Sequence, residues 1–320
     1  MTQAQGTQRI SRRTLLKSLG AAGAVGALGV AGLEVLEERP ASRFDLTVPS
    51  SPLHGVQRTV LHEAYRVSQS FAFDNVNRRV FVAQLQDRAD GNDLCISQLD
   101  LHGTLVGYMH VPDAGHGVSI GVEPVGDVSY LWTEAVSSLP ASTGRGTALQ
   151  RFAFRSGQEP TQAQTYLTGS ENVTCATDPT SQRLLVRRHV DGDAEFTVHD
   201  LAAARDGDFS RPSMPGIRPR TDGTFQGYAF FGDYLYVLTG SGHDDPADID
   251  SALSSFDLRT GKVIQDHVPE TVSSELPLRE PEGMAVYRTG NGRHRLCFGL
   301  ASTQDNVRFA NFFYKDVLVR

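Results

Sequence analysis

Apolar and polar positions recur along the chain in five similar segments. Each segment has a polar residue, a strand of alternating apolar residues, a turn, and a second strand rich in Val, Leu, Phe, Tyr or Trp. The segments are QSFAFDNVNRRVFVAQ (69–84), HGVSIGVEPVGDVSYLWTE (116–134), NVTCATDPTSQRLLVRR (172–188), QGYAFFGDYLYVLTG (226–240) and EGMAVYRTGNGRHRLCFG (282–299). Their first residues lie 47 to 56 positions apart, which indicates a structural repeat.

A third strand follows in every repeat, at LCISQLDL, ALQRFAF, EFTVHDL, LSSFDL and NVRFANFFYK. Fourth strands are visible at TLVGYMHV, AQTYLTG and KVIQDHVP, and are less clear in the third and fifth repeats. Four short antiparallel strands repeated at this spacing are typical of propeller blades. We therefore predict an all-β protein, a five-bladed β-propeller of four-stranded antiparallel blades over residues 42–320. A β-sandwich is the alternative, but it would not require a polar residue at one fixed phase of each repeat.

The last repeat ends after its third strand, whereas an additional strand-like segment, SRFDLTVP (42–49), lies ahead of the first repeat. We expect this early segment to complete the last blade. Closing the ring in this way would remove exposed sheet edges.

The first 41 residues have the pattern of an export signal. Arg12 and Arg13 are followed by TLLK and then by the glycine-rich apolar run SLGAAGAVGALGVAG, which matches a twin-arginine signal. A membrane anchor is the alternative, although the run is short for a span of about 20 apolar residues. We expect a protein that is exported folded by the twin-arginine route and is secreted or associated with the cell wall. It would contact the membrane only through an uncleaved signal.

The remaining chain is acidic, with 25 Lys and Arg against 34 Asp and Glu, a formal charge of −9. This excess of acid argues against nucleic-acid binding, which requires a basic face. The three cysteines lie in apolar strand-like runs and are interpreted as buried apolar residues rather than as a disulfide with one free thiol. The acidic segment 242–250 lacks the spacing of a calcium loop. We predict no metal site and no cofactor, and we expect a monomer.

One polar residue begins each repeat at the phase where the innermost strand of a blade starts. Because inner strands line the central channel of a propeller, these residues should converge at one mouth. They are Gln69, His116, Asn172, Gln226 and Glu282. Convergent hydrogen-bonding groups in an apolar body are how binding pockets obtain specificity. The alternative is that these side chains only satisfy loop backbone and hold the blades together.

Two members of this set can titrate, and they suggest a possible chemistry. His116 and Glu282 would form a general acid and base pair if both lay about 3 Å from a substrate. Glu134 and Glu282 also resemble the carboxylate pair of a glycoside hydrolase, which requires a separation of about 5 to 10 Å. We therefore name His116, Glu282 and Glu134 as catalytic candidates.

Further binding candidates lie near these residues in the sequence. Trp132 is the only tryptophan and could stack on a sugar ring, although a tryptophan at this position is more often part of the core. Arg279 precedes Glu282 in REPEG and is a candidate substrate ligand. Glu123 and Glu280 also lie near these candidates in the sequence and could contribute to the same site.

Several of these motifs resemble a known family. The segments SQSFAFDNVNRRVFVAQ, GHGVSIGVEPVGDVSYLWTE, FQGYAFFGDYLYVLTG and REPEGMAVYR are similar to the propeller shared by teichoic acid biosynthesis protein C-like proteins and receptor-binding tail proteins of some phages. The resemblance covers roughly residues 57–316 and includes secreted actinobacterial members with twin-arginine signals. It implies a five-bladed propeller and an association with wall glycopolymers, without supplying a catalytic motif.

Three functions remain open from the sequence. The first is a secreted propeller that recognises a cell-wall or extracellular glycan at its central funnel. The second is a polysaccharide lyase or glycoside hydrolase that uses the same polar ring. The third is an extracytoplasmic scaffold for another protein. A local basic patch, for instance Arg187, Arg188, Arg218 and Arg220, would favour an anionic glycopolymer.

Overall fold

A computed structural model describes residues 42–88, 91–137 and 144–320 of the chain. The predicted export segment, residues 1–41, lies outside the described residues. Among the residues described, no helix is long and apolar enough to cross a membrane.

The described chain forms a β-propeller of five blades, as the repeat predicts. Each of four blades is a four-stranded antiparallel sheet, and the remaining blade has three regular strands. The first blade contains β3 (Ser68–Asp74), β4 (Arg79–Arg88), β5 (Gly91–Leu99) and β6 (Leu105–Val111). The second contains β7 (Gly121–Val125), β8 (Val128–Ser137), β9 (Gly146–Ala153) and β10 (Gln164–Tyr166).

The third blade contains β11 (Glu171–Asp178), β12 (Arg183–Val190) and β13 (Asp193–Asp200). A short helix, α1 (Leu201–Arg205), follows β13 and is capped by the Asp200 carboxylate, which accepts the Ala203 N–H. In place of a regular fourth strand, residues 213–217 run beside β13, where Ile217 and Phe196 exchange two backbone hydrogen bonds. The inserted helix therefore explains why the fourth strand of this repeat is unclear in the sequence.

The fourth blade contains β14 (Phe225–Phe231), β15 (Tyr234–Thr239), β16 (Ala252–Asp257) and β17 (Val263–Pro269), with a 3-10 turn at Pro246–Asp248. The fifth contains β18 (Glu280–Arg288), β19 (His294–Gln304) and β20 (Val307–Lys315). Its outer strand is β2 (Ser51–Pro52), which comes from the start of the propeller.

An early segment closes the ring as expected, but not the one the sequence indicates. Beyond β2, Thr59 and Ala310 continue the pairing with two backbone hydrogen bonds, so residues 51–59 run along β20. The predicted segment 42–49 instead contains β1 (Arg43–Phe44), which pairs with β21 (Leu318–Val319) in a separate two-stranded sheet. Phe44 is fully buried against Phe231 and Tyr236 of the fourth blade, and this burial explains the strand-like apolar pattern of the segment.

The apolar core is divided among the interfaces between neighbouring blades. The described residues form five buried clusters, and each combines side chains from two adjacent blades. For example, Phe71 of β3 stacks on Phe312 of β20 with ring centroids 3.8 Å apart. The three cysteines are free and buried, as predicted, and burial raises the pKa of each thiol. Burial of apolar side chains between neighbouring blades is therefore the main contribution to the stability of the fold.

Around the axis, small residues allow adjacent inner strands to approach at backbone distance. A Cβ atom at Gly227 would lie 2.7 Å from the Gly283 Cα atom, and one at Gly283 would lie 2.6 Å from the Ser70 Cα atom. The Ser70 hydroxyl donates to the Gly117 carbonyl at 2.5 Å. Two further bonds complete the circuit, from Ser119 Oγ to the Cys175 carbonyl at 2.9 Å and between Thr174 Oγ1 and Tyr228 Oη at 2.9 Å. The small residues therefore connect all five blades.

A glycine substitution tests this close approach. Gly283 has a φ of +73° and no room for a Cβ atom, whereas Gly292 has a φ of +82° and nothing within 4 Å of the position that a Cβ atom would occupy. We expect Gly283→Ala to lower the free energy of unfolding by about 1–3 kcal/mol more than Gly292→Ala, because only the former adds overpacking to the cost of positive φ. Denaturant unfolding of both variants measures this difference. Equal losses would contradict a tight inter-blade contact at Gly283.

Candidate functional site

The predicted polar residues lie at one end of the inner strands, and in four blades a β-bulge occurs at that position. A bulge places two residues opposite one and turns the extra side chain out of the regular ladder. The breaks in register fall between Ser68 and Ser70, Glu171 and Thr174, Phe225 and Gly227, and Pro281 and Met284. They include Gln69, Asn172, Gln226 and Glu282. The common phase in the sequence therefore corresponds to a common irregularity in the backbone.

His116 reaches the same region differently, since it lies five residues before β7 rather than within the inner strand. The buried Glu134 side chain of β8 holds this segment. Its carboxylate accepts the backbone N–H groups of Gly117 at 2.9 Å, Gly146 at 2.6 Å and His116 at 3.4 Å. A Cβ atom at Gly146 would lie 2.5 Å from the Glu134 Cβ atom, so glycine is required for this packing.

The small residues that connect the blades bring the polar residues together. Gln69, His116, Gln226 and Glu282 each immediately precede one of the small residues Ser70, Gly117, Gly227 and Gly283. Asn172 lies two residues before Thr174, which bonds to Tyr228 of the next blade. Gln69 Nε2 also donates directly to Glu282 Oε1 at 3.4 Å, across 213 residues of sequence.

Arg145 is a functional candidate that the sequence analysis missed. Its positive charge acts on His116, Glu134 and Glu282, and it also acts on Arg187 of the third blade. Arg145 precedes β9 and lies outside the repeating phase of the polar residues, so no periodic signal marks it. Its burial lowers its own pKa, while Glu134 and Glu282 raise it.

The third and fourth blades contribute a second group of polar side chains. Asn172 Nδ2 lies 3.2 Å from His189 Nδ1, and the other ring nitrogen of His189 lies 3.1 Å from Arg187 Nη2. The Arg187 guanidinium lies over the Phe225 ring at 4.5 Å. Gln226 Nε2 donates to the Gly240 carbonyl at 2.9 Å. We call Gln69, His116, Asn172, Gln226 and Glu282, together with Arg145 and Arg187, the polar mouth.

Burial shifts the two titratable members of the predicted ring in opposite directions on the pH scale. Desolvation is the main cause that raises the pKa of Glu282 well above its ordinary value; Glu280 raises it further and Arg145 opposes the shift. Desolvation, and secondly the charge of Arg145, lower the pKa of His116 to about 4. His116 Nδ1 is buried and has no hydrogen-bond partner among the described residues. Both side chains therefore favour their neutral forms.

Three of the predicted site residues have other roles. Trp132 is fully buried, donates to Glu123 Oε2 at 3.2 Å and stacks on Tyr166, so its ring has no face for a sugar. Arg279 is 1% exposed, and its guanidinium donates to the Glu270 and Val272 carbonyls and to a serine hydroxyl. The expectation that these two residues bind substrate is therefore wrong.

Glu134 is also not available for catalysis. Its side chain is fully buried and its oxygens are occupied by backbone N–H groups, so it cannot act on a substrate as the predicted carboxylate partner. Burial raises the pKa of Glu134, and its hydrogen bonds and Arg145 oppose this shift. Glu123, another neighbour in the sequence, pairs with Arg151 at 2.7 Å in the core of the second blade and with Arg205 at 3.3 Å.

Two of the four arginines of the expected basic patch are paired with a carboxylate. Arg188 and Arg218 both pair with Glu195, at 3.7 and 3.3 Å. Arg187 is the member of this group that belongs to the polar mouth.

The opposite end of the inner strands carries both polar and apolar side chains. A cavity there is lined by side chains of all five blades, including Ile120, Val122, Ala176, Ala229 and Met284. The volume within it is about 50 Å³, enough for a few water molecules and too small for a sugar ring.

The fold agrees with a comparison against protein families. A sequence model of the phage five-bladed β-propeller receptor-binding platform domain matches residues 67–314, most of the chain. The chain belongs to this family. It is also 23% identical over 270 residues to the putative major teichoic acid biosynthesis protein C of Bacillus subtilis strain 168, covering 77% of this chain and 59% of that protein.

Among solved structures, this propeller is similar to the tail fiber of Staphylococcus aureus phage P68. The TM-score is 0.71 with 19% identity, covering 86% of this chain and 54% of the tail fiber. This similarity shows the fold. The chain therefore spans somewhat more than half the length of each of these two relatives. An α-L-arabinofuranosidase from Podospora anserina, with a TM-score of 0.49 and 11% identity, is too distant to inform the chemistry.

The protonation of His116 can be tested directly. We expect its imidazole to remain neutral as the pH is lowered to about 4, because burial and Arg145 both disfavour the cation. Since this pKa lies below the unfolded value of about 6.5, the contribution of His116 to stability is complete above about pH 6.5 and declines as the pH falls towards 4. NMR titration of labelled histidine, with His116→Gln to assign the signal, measures the pKa. Arg145→Met should raise it, and a value near 6.5 in the unmodified protein would contradict the buried geometry.

Proposed function

We propose that this protein binds a cell-wall or extracellular glycan at the polar mouth of its propeller. The observation that carries the proposal is the convergence of Gln69 and Glu282, joined by a hydrogen bond, with side chains from the other three blades. A mouth of this kind at one end of the propeller axis offers a site with defined polar geometry.

The chemistry of these side chains suits a sugar polymer. The amides of Gln69, Asn172 and Gln226 each carry donors and an acceptor, which match the hydroxyl groups of a glycan. Arg145 and Arg187 add two guanidinium groups that can bind anionic substituents such as phosphate. The protein is acidic as a whole, so this local positive charge would distinguish the mouth from the surrounding surface.

The family supports the same conclusion. The family is that of a phage receptor-binding platform domain. The B. subtilis relative is named for the biosynthesis of teichoic acid, a wall glycopolymer. Because the chain covers only part of that relative and of the phage tail fiber, the proposal concerns the propeller and its mouth.

Binding to isolated bacterial walls provides the test. We expect the full-length protein to sediment with walls, and Asn172→Ala combined with Gln226→Ala to weaken binding about tenfold or more, since each lost hydrogen bond costs about 0.5–1.5 kcal/mol. Walls stripped of phosphate-containing polymers show whether the receptor is an anionic glycopolymer or a neutral glycan.

A matched variant controls for general effects of the substitutions. Gln158 lies exposed in a turn after the second blade's third strand, so Gln158→Ala should leave binding unchanged. Unaltered binding in both the Asn172/Gln226 double variant and Gln69→Ala would exclude the polar mouth as the binding site.

A second candidate function is a polysaccharide lyase or glycoside hydrolase at the same mouth. The observation that favours it is that the polar mouth contains both a carboxyl group of raised pKa, Glu282, and an imidazole of lowered pKa, His116, which are the forms required of a general acid and a general base. The same wall and glycan incubations decide between the two functions. New reducing ends or unsaturated uronic acids, lost in Glu282→Gln, would identify an enzyme, and binding without product would leave glycan recognition as the function.

We further propose that the protein acts outside the cytoplasm after twin-arginine export. The support is the Arg12 and Arg13 pair followed by an apolar, glycine-rich run. We expect replacement of both arginines by lysine to retain the protein in the cytoplasm, measured by fractionation and immunoblotting. Export of the double variant at the normal level would contradict this route.

A further inference from the structure

The first blade brings together two histidines and a glutamate from separate parts of the chain. His62 and Glu63 precede β3, and His110 lies near the end of β6. One ligand atom of each residue lies within 4.8 Å of the other two, and His110 Nε2 is 3.5 Å from Glu63 Oε1. None of these residues belongs to the polar mouth.

The backbone that carries His62 and Glu63 is fixed by side chains of the neighbouring strands. Gln84 of β4 is 1% exposed; its Oε1 accepts the Glu63 N–H at 3.2 Å and its Nε2 donates to the Glu63 carbonyl at 2.7 Å. The His62 N–H donates to Ser97 Oγ of β5 at 3.0 Å. The two ligating residues are therefore held in place before any ion binds.

Their side chains are oriented as well. The His62 ring stacks on Tyr108 with centroids 3.4 Å apart and planes at 9°, leaving the edge of the imidazole for other contacts. Gln86 Nε2 donates to Glu63 Oε1 at 2.9 Å. Carboxylates that bind metals are usually held by such an outer hydrogen bond.

His110 supplies an independent indication of a ligand. Its Nε2 atom is shielded from solvent and makes no hydrogen bond among the described residues, although it points at the Glu63 carboxylate. A buried ring nitrogen without a partner is costly. An ion bound between His110 and Glu63 would satisfy it.

We propose that His62, Glu63 and His110 form a binding site for Zn²⁺. Two imidazole nitrogens and one carboxylate oxygen are a donor set that zinc favours, and such sites keep a fourth position for water or another ligand. Ligand atoms about 2.0–2.1 Å from a tetrahedral ion lie about 3.4 Å apart, close to the 3.5 Å between His110 and Glu63. The His62 ligand atom lies within 4.8 Å of the other two, so the imidazole must move inwards by up to about 1.4 Å to bind the same ion, while its backbone stays in place.

The site is independent of glycan binding but lies on the same blade as Gln69. Gln84, which holds Glu63, pairs in the sheet with Ser68, the neighbour of Gln69. The His110 and Glu63 side chains are 41% and 32% accessible, which places the cluster close to the surface of the blade.

Zinc titration of the chelator-treated, untagged, full-length protein tests the proposal. We expect one Zn²⁺ per chain by calorimetry and by elemental analysis, with little competition from equal Ca²⁺ or Mg²⁺, because these hard ions prefer oxygen ligands. Glu63→Gln and His110→Ala should weaken binding by at least about tenfold, and Gln86→Leu by about tenfold through loss of the outer hydrogen bond.

His102→Ala is the matched control, since His102 is an exposed histidine of the same blade outside the cluster. Thermal unfolding in chelator verifies that each variant is folded; if His110→Ala is not, Glu63→Gln and Gln86→Leu decide the result. No zinc binding, binding unchanged in the cluster variants, or equal loss in His102→Ala would each overturn the site.

Discussion

The close approach of the five inner strands around the axis is the constraint on which the remaining structure depends. Gly227, Gly283 and Ser70 leave no room for larger side chains between adjacent blades, and serine and threonine hydroxyls complete the circuit through the second and third blades. Because a polar residue lies beside or close to each of these contacts, bringing the backbones together also brings the polar groups together. The contacts that join neighbouring blades therefore also form the polar mouth.

This arrangement buries titratable side chains away from water. The protein offsets the cost of burial differently for each of them. Glu134 is satisfied by three backbone N–H groups, so its buried carboxylate fixes the loop that carries His116. Glu282 and His116 have fewer partners, and burial shifts the pKa of each towards its neutral form. The positive charge of Arg145 opposes the rise in the pKa of Glu134 and Glu282, and it disfavours protonation of His116. Groups kept neutral by desolvation and not fully satisfied by the protein are suited to contact a polar ligand.

The buried polar groups of the second blade show how similar residues serve a different purpose. Glu123 accepts from Trp132 and pairs with Arg151, and all three side chains lie within the blade. A carboxylate and a tryptophan nine residues apart in sequence resemble part of a sugar site. Here they form an internal network, because strand pairing turns them into the blade rather than towards the axis. Type and proximity of residues do not indicate the direction in which side chains point.

The spacing of five polar-apolar repeats predicted the propeller and placed Gln69, His116, Asn172, Gln226 and Glu282 at one phase of the repeat, because repeated blades present equivalent positions to one axis. Tertiary structure alone decided the roles of residues outside that phase. Arg145 joins the mouth, Trp132 and Arg279 are core, and His62 meets His110 through contacts between segments far apart in sequence. Those outcomes depend on non-local packing and side-chain direction, which periodicity does not encode.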